Sequence, residues 1–250
     1  MFKRSCFIVC AFFFGISYSQ TIINTEAILK EIDSTFALKL NLEGNANFGN
    51  IKFSQLNNSI SLGKKIKKGF LRLSIGHEYI SENQEVLAND LTGQFRYNRF
   101  FDENSFFLFL QAQNAISLKL NHRYLVGTGY RHRIFKKKIN YLDASVGVFF
   151  EDELYEKGTI AETLKHNYRY SLSAFSNFLI TQKISLNTSI YYQINTKDFK
   201  DKRLYFEPRL YFDLNIFNIY MNFRYRHHTT PYVEISKSDF EILYGIELDL

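Results

Sequence analysis

The stretch Phe36-Ala37-Leu38-Lys39-Leu40-Asn41-Leu42-Glu43-Gly44-Asn45-Ala46-Asn47-Phe48 settles the secondary structure of this chain. Phe36, Leu38, Leu40, Leu42, Ala46 and Phe48 fall on one parity, and Lys39, Asn41, Glu43, Asn45 and Asn47 on the other. A strand sends successive side chains to opposite faces, whereas a helical period would mix the two sets. The stretch reads as an amphipathic strand.

The same arithmetic recurs to the end of the chain. Leu71, Leu73 and Ile75 alternate with Arg72 and Ser74, Leu142, Ala144 and Val146 with Asp143 and Ser145, and Tyr168, Tyr170 and Leu172 with Arg169 and Ser171. Leu204, Phe206, Leu210 and Phe212 oppose Tyr205, Glu207, Arg209 and Tyr211, and Ile219, Met221, Phe223 and Tyr225 oppose Tyr220, Asn222, Arg224 and Arg226. With weaker runs and a terminal strand through Phe240, Ile242, Tyr244, Ile246, Leu248 and Leu250, about twelve strands are predicted over 34–250. The even count suits a closed, antiparallel, up-and-down barrel.

Alternation alone does not say which face is outside, because a soluble sandwich with a buried apolar side shows the same pattern. The chain opens with Lys3 and Arg4, an apolar run from Cys6 to Ile16, and Ser17-Tyr18-Ser19 before Gln20. That is the layout of a secretory signal, 1–19, with 20–33 a periplasmic lead-in that has some helical character. No run approaches the roughly 18 apolar residues of a membrane helix. Both cysteines, Cys6 and Cys10, lie in the signal, so the mature chain is expected to hold no disulfide or thiolate site. Loss of Lys3 and Arg4 lowers the formal charge from +6 by two, too little and too dispersed for a nucleic-acid partner. The turns at 64–68, 101–104, 135–138 and 213–217 are mostly short, while the opposite end receives longer loops at 81–90, 151–163, 196–202 and 227–237. This is the division between periplasmic turns and external loops of a transmembrane barrel.

Gly245-Ile246-Glu247-Leu248-Asp249-Leu250 resembles the C-terminal assembly signal of outer-membrane proteins, ending in Leu250 where an aromatic is usual. Phe95-Arg96-Tyr97-Asn98, Leu125-Val126-Gly127-Thr128-Gly129-Tyr130-Arg131, Tyr191-Tyr192-Gln193 and Lys197-Asp198-Phe199 before Arg203 resemble the salt-stress-induced outer-membrane protein family, a domain-of-unknown-function family of single barrels. The Gln20 start resembles secreted proteins of Bacteroidetes-type bacteria. The resemblance implies a cell outer-membrane location, outer-membrane lipids and lipopolysaccharide as surroundings, and delivery by the outer-membrane assembly machinery through the C-terminal strand. It implies no catalytic residues.

Some barrels are enzymes, and an outer-membrane lipid hydrolase is the alternative reading. His77, His122, His132 and His166 share parity with the apolar faces of their strands, so they do not converge inside. His227 and His228, with Glu234 near, read as a solvated loop, since adjacent residues project apart. No catalytic, cofactor or metal site is expected. Lys64, Lys65, Lys67 and Lys68 and the 136–138 lysines read as basic turns facing lipid phosphates. The inward polar set is Glu43, Glu78, Arg96, Asp143, Arg169, Glu207, Arg209, Arg224, Glu241 and Glu247. It mixes both signs and so predicts a narrow or occluded channel, a porin-like structural protein of the envelope. A turn centred on Asn215 and Ile216 sets Glu207 opposite Arg224, Arg209 opposite Asn222 and Tyr211 opposite Tyr220, which predicts a Glu207–Arg224 ion pair tolerant of charge reversal.

Overall fold

A computed structural model describes residues 36–49, 52–156 and 163–249. The expected signal (1–19), the lead-in (20–33), part of the 151–163 loop and Leu250 lie outside the described residues. Twelve strands follow in order: β1 (Phe36–Asn47), β2 (Phe53–Ile66), β3 (Gly69–Glu82), β4 (Glu85–Phe101), β5 (Asn104–Ala115), β6 (Leu120–Lys137), β7 (Asn140–Tyr155), β8 (Thr163–Thr181), β9 (Ile184–Asn195), β10 (Lys202–Asp213), β11 (Asn218–His228) and β12 (Ser238–Asp249). Each pairs antiparallel with its neighbours, and β12 returns to β1, closing the barrel. Among the described residues no helix is long and apolar enough to cross a membrane.

The two faces are inverted relative to a soluble barrel. Polar and charged side chains outnumber apolar ones among the buried residues, and Leu42, Ile60, Ile75, Phe106, Val146, Leu172, Phe240 and Tyr244 stand exposed outside. Such a surface is costly in water, but in hydrocarbon it meets its own kind, while strand pairing without a free edge satisfies the backbone.

One end carries tight connections. Lys67, Asp102, Lys138 and Asn215 take left-handed φ values in the turns there. Such φ values match the twist of two-residue hairpins. Both described chain ends lie at this end, with Lys39 opposite Asp249. At the other end the expected loop at 81–90 is instead a hairpin whose central residues, Asn83 and Gln84, have φ of 48° and 73°. A bulge concealed this strand pair: Ile80 faces Ala88 and Ser81 faces Val86, so Leu87 is an extra residue and the alternation changes phase there. His227 and His228 likewise belong to β11, which leaves 229–237 as the loop.

Candidate functional site

Facing inward, the expected polar set occupies the barrel interior. Glu43, Glu78, Arg96, Asp143, Arg169, Glu207, Arg209, Arg224 and Glu247 are buried, and Glu241 is nearly so. They gather into separate networks.

At the loop end Arg169 of β8 donates to Glu151 of β7 and to Asp201, each at 2.5 Å. Arg203 of β10 donates to Glu151 at 2.8 Å and to Glu153 at 3.2 Å, while Arg123 of β6 binds Glu153 at 2.5 Å. β10 stands three strands from β7, about 14 Å along the wall at normal strand spacing. The Arg203 guanidinium therefore crosses the lumen as a chord. Three guanidiniums meet three carboxylates, so this layer neutralises itself.

The 229–237 loop covers that layer. Tyr232, Val233 and Ile235 pack on Ala115, Leu118, Leu120 and Tyr155, at the ends of β5, β6 and β7 and the 3-10 turn Ile116–Leu118. Those strands stand opposite β11 and β12 in a ring of twelve, so the loop spans the mouth. The Tyr232 hydroxyl donates to Asp201 at 2.6 Å, and His228 Nε2 lies 2.7 Å from the other oxygen of Asp201. Burial raises the Asp201 carboxyl, but hydrogen bonds from His228 and Arg169 and the Arg169 charge outweigh it and hold the group well below the usual carboxylate range. Burial, then the bond to Asp201, pushes the Tyr232 phenol up, so it stays a donor.

His228 is accordingly buried, which corrects the solvated-loop reading. Its neighbour His227 faces outward and Glu234 is exposed. The deep position was not legible because the partner, Asp201, comes from another loop. His77, His122, His132 and His166 lie on the outer face, where His122 and His166 each stand 3.5 Å from Asp152. Among the described residues no group of His, Cys, Asp or Glu is arranged to hold a metal ion.

A second network fills the region inside β10, β11, β12 and β1. The expected hairpin register is present, with Arg209 opposite Asn222 and Tyr211 opposite Tyr220. Arg224 reaches Glu207 only at 3.8 Å, but binds Glu43 of β1 at 2.6 Å and Glu241 of β12 at 3.1 Å. Glu207 takes its closer contact from Arg209, two residues along its own strand. Below, Lys39 binds Glu247 at 3.1 Å and Asp249 at 2.8 Å. On the opposite wall Arg131 and Arg133 share Asp143, and Arg131 covers the Phe175 ring at 4.5 Å. Between these layers lies a cavity of about 70 Å³ lined by Gln94, Phe107, Phe149, Phe175, Tyr191 and Arg203 among others. Its size suits a few waters, at roughly 10–15 Å³ each. Gly127 keeps this wall thin, since a Cβ there would lie 2.5 Å from Phe109 and Phe149.

The fold is that of solved outer-membrane barrels. The NanC porin superposes with a TM-score of 0.53 at 10% identity, over 84% of this chain and all of that one. The KdgM porin gives 0.46 at 10% identity, covering 85% and 97%. The translocator domain of the autotransporter NalP from Neisseria meningitidis gives 0.42 at 10%, covering 89% and 92%. No curated protein matches the sequence. The model of one family, described as protein of unknown function DUF481, matches residues 30–248, nearly the whole barrel, and the chain belongs to that family.

Proposed function

We propose that this chain is an integral outer-membrane β-barrel of a Gram-negative envelope, serving as a narrow channel closed by its 229–237 loop. One observation carries the reading: a polar interior is crossed by the Arg203 chord and capped by Tyr232 on Asp201. An inert structural barrel has no need of a hydrogen-bonded lid over buried charge. In this reading the signal is cleaved before Gln20, lipopolysaccharide and phospholipid surround the apolar band, and the assembly machinery receives the C-terminal strand. A role in salt or osmotic stress follows from the resemblance of its motifs. Planar-bilayer recordings test the channel: brief, small openings are expected, becoming sustained when 230–236 is replaced by a short Gly-Ser turn. A wide, steady wild-type pore would overturn the lid. Growth of a deletion strain at raised salt tests the stress role.

One contact favours the second reading, a lipid hydrolase. His227 Nδ1 and Ser238 Oγ lie 2.7 Å apart at the loop end of β11 and β12. This is the reach a general base needs toward a serine nucleophile. Phospholipid hydrolysis by the purified barrel, abolished by Ser238→Ala, would establish it; absence of turnover leaves the channel.

A further inference from the structure

Among the described residues the closing seam is the shortest strand pairing in the barrel, running from Lys39 opposite Asp249 to Gly44 opposite Tyr244. Continued in register, Asn45, Ala46 and Asn47 would face Leu243, Ile242 and Glu241. Instead these residues of β1 pair with β2 alone, and the first half of β12 pairs with β11 alone. The split begins at Gly44. A Cβ there would lie 2.6 Å from the Gln55 carbonyl oxygen, so glycine lets β1 crowd against β2 where it parts from β12.

The two sides of the split differ in chemistry. Outside stand the exposed side chains of Leu42, Phe48, Phe240 and Tyr244. Inside, the walls from β1, β3, β4 and β10–β12 carry Glu43, Glu78, Asp90, Glu207, Asp239 and Glu241. At the height of the split these six carboxylates stand against four guanidiniums, of Arg203, Arg209, Arg224 and Arg226, while Lys39, Arg72, Arg96 and Glu247 of the same strands lie toward the tight-turn end. Asp239 is only 6% exposed, yet its Oδ1 accepts no hydrogen bond, and Arg226 opposite it turns a terminal nitrogen toward Glu241, at 3.7 Å, instead. A buried carboxylate oxygen without a donor in an acid-rich wall is complementary to a cation. A slit with hydrocarbon on one face and that wall on the other fits a molecule that is apolar at one end and cationic at the other.

We propose that the outer half of the β1–β12 seam is a lateral portal through which an amine-headed amphiphile passes between bilayer and lumen. The inference rests on the outer-membrane reading. Its head lies at the unbonded oxygen of Asp239, beside the Glu241 and Glu43 carboxylates that Arg224 already holds, while its chain stays against Phe240 and Leu42.

The test uses the full chain purified from membranes, in phosphatidylcholine vesicles. The probes are a long-chain alkyl amine bearing a diazirine and the same chain ending in a sulfonate. Photolabel from the amine is expected on peptides covering 42–48 and 238–244, about tenfold above the sulfonate, which corresponds to ~1.4 kcal/mol. Asp239→Asn should shrink that ratio. A second control joins the edges: Ala46→Cys with Ile242→Cys, in a Cys6→Ser, Cys10→Ser background, should lose lumenal label on oxidation and regain it on reduction. Label spread evenly over the outer face, equal labelling by both heads, or capture of a protein strand on β12 would each overturn the proposal. Heat-modifiable gel migration of every sample separates the failures. A barrel that does not fold or insert sinks the outer-membrane reading, and a folded but unlabelled barrel sinks the portal alone.

Discussion

Arg224 is the residue whose loss the geometry makes most costly in the β10–β1 network. Its side chain is 8% exposed and bound to Glu43 at 2.6 Å and Glu241 at 3.1 Å, so Arg224→Ala leaves Glu43 poorly solvated and without its direct cation, and Glu241 with only the 3.7 Å contact to Arg226. Removing one partner of such a buried group costs about 3 to 5 kcal/mol. The contribution of each arm is separable by double-mutant cycles. The Glu43 arm is a charge-assisted hydrogen bond, reinforced by Asn222 donating to Glu43 at 3.0 Å, and its coupling should reach ~1.5 to 3 kcal/mol. The Glu207 arm, at 3.8 Å, is no hydrogen bond, and its coupling should stay below ~1 kcal/mol. Charge reversal is then the decisive case. The cross-strand register alone predicts that Glu207→Arg with Arg224→Glu recovers stability. In the folded barrel the reversed pair sets a carboxylate at 224 against Glu43 and Glu241, and a guanidinium at 207 against Arg209. It should be at least as unstable as Arg224→Ala. Urea unfolding in detergent, followed by gel mobility and tryptophan-free tyrosine fluorescence, measures all of these. Recovery by the reversed pair, or stronger coupling to Glu207 than to Glu43, would refute this assignment of partners.

Tyr232→Phe removes a hydroxyl donating to Asp201 at 2.6 Å, a bond to a charged acceptor worth ~1.5 to 3 kcal/mol; single-channel recordings should show openings at least about tenfold more frequent, and unchanged gating would mean the loop is held by its apolar contacts alone. In intact cells, protease should cut within 196–201 and spare Asn83 and Gln84, which form a tight hairpin; mass mapping of the fragments checks both, and ready cleavage at 83–84 would contradict the strand pair. The Asp201 carboxyl is depressed on folding, so its stabilising contribution is fully present above the unfolded value near 3.9 and fades only as pH falls through the lower folded value. The part of the loop's protection from hydrogen exchange that Asp201 supplies should therefore be lost only below about pH 4, and Asp201→Asn should remove that part of the acid limb.

Local pattern carried much of this architecture. Parity placed Glu43, Arg169, Glu207 and Arg224 inside and Leu73, Val146 and Phe206 outside, because each strand separates a polar lumen from an apolar surround. Hairpin counting also fixed Arg209 opposite Asn222. What escaped were relations that no period expresses. Arg203 binding Glu151, Arg224 binding Glu43, and Asp201 binding His228 join residues whose proximity depends on the closed cross-section and on where loops fold. The 83–84 hairpin escaped for another reason, since the extra residue Leu87 shifts the period between its two flanks.

Nearly every strand pairing links neighbours in sequence through short connections, so most of the barrel is assembled from inexpensive local closures. The seam differs, since Lys39 and Glu247 are 208 residues apart. Bringing such ends together costs on the order of 5 kcal/mol in chain entropy. Against this stand, among the described residues, six residue pairs and the ion pairs of Lys39 with Glu247 and Asp249. Each backbone hydrogen bond returns only about 0.5 to 1.5 kcal/mol. Closure is therefore nearly balanced until Lys39 docks, and the expected outcome is that it comes late in folding and sets the rate. Lys39→Ala should slow the appearance of the closed form far more than it slows formation of the hairpins, a separation visible in stopped-flow refolding into micelles.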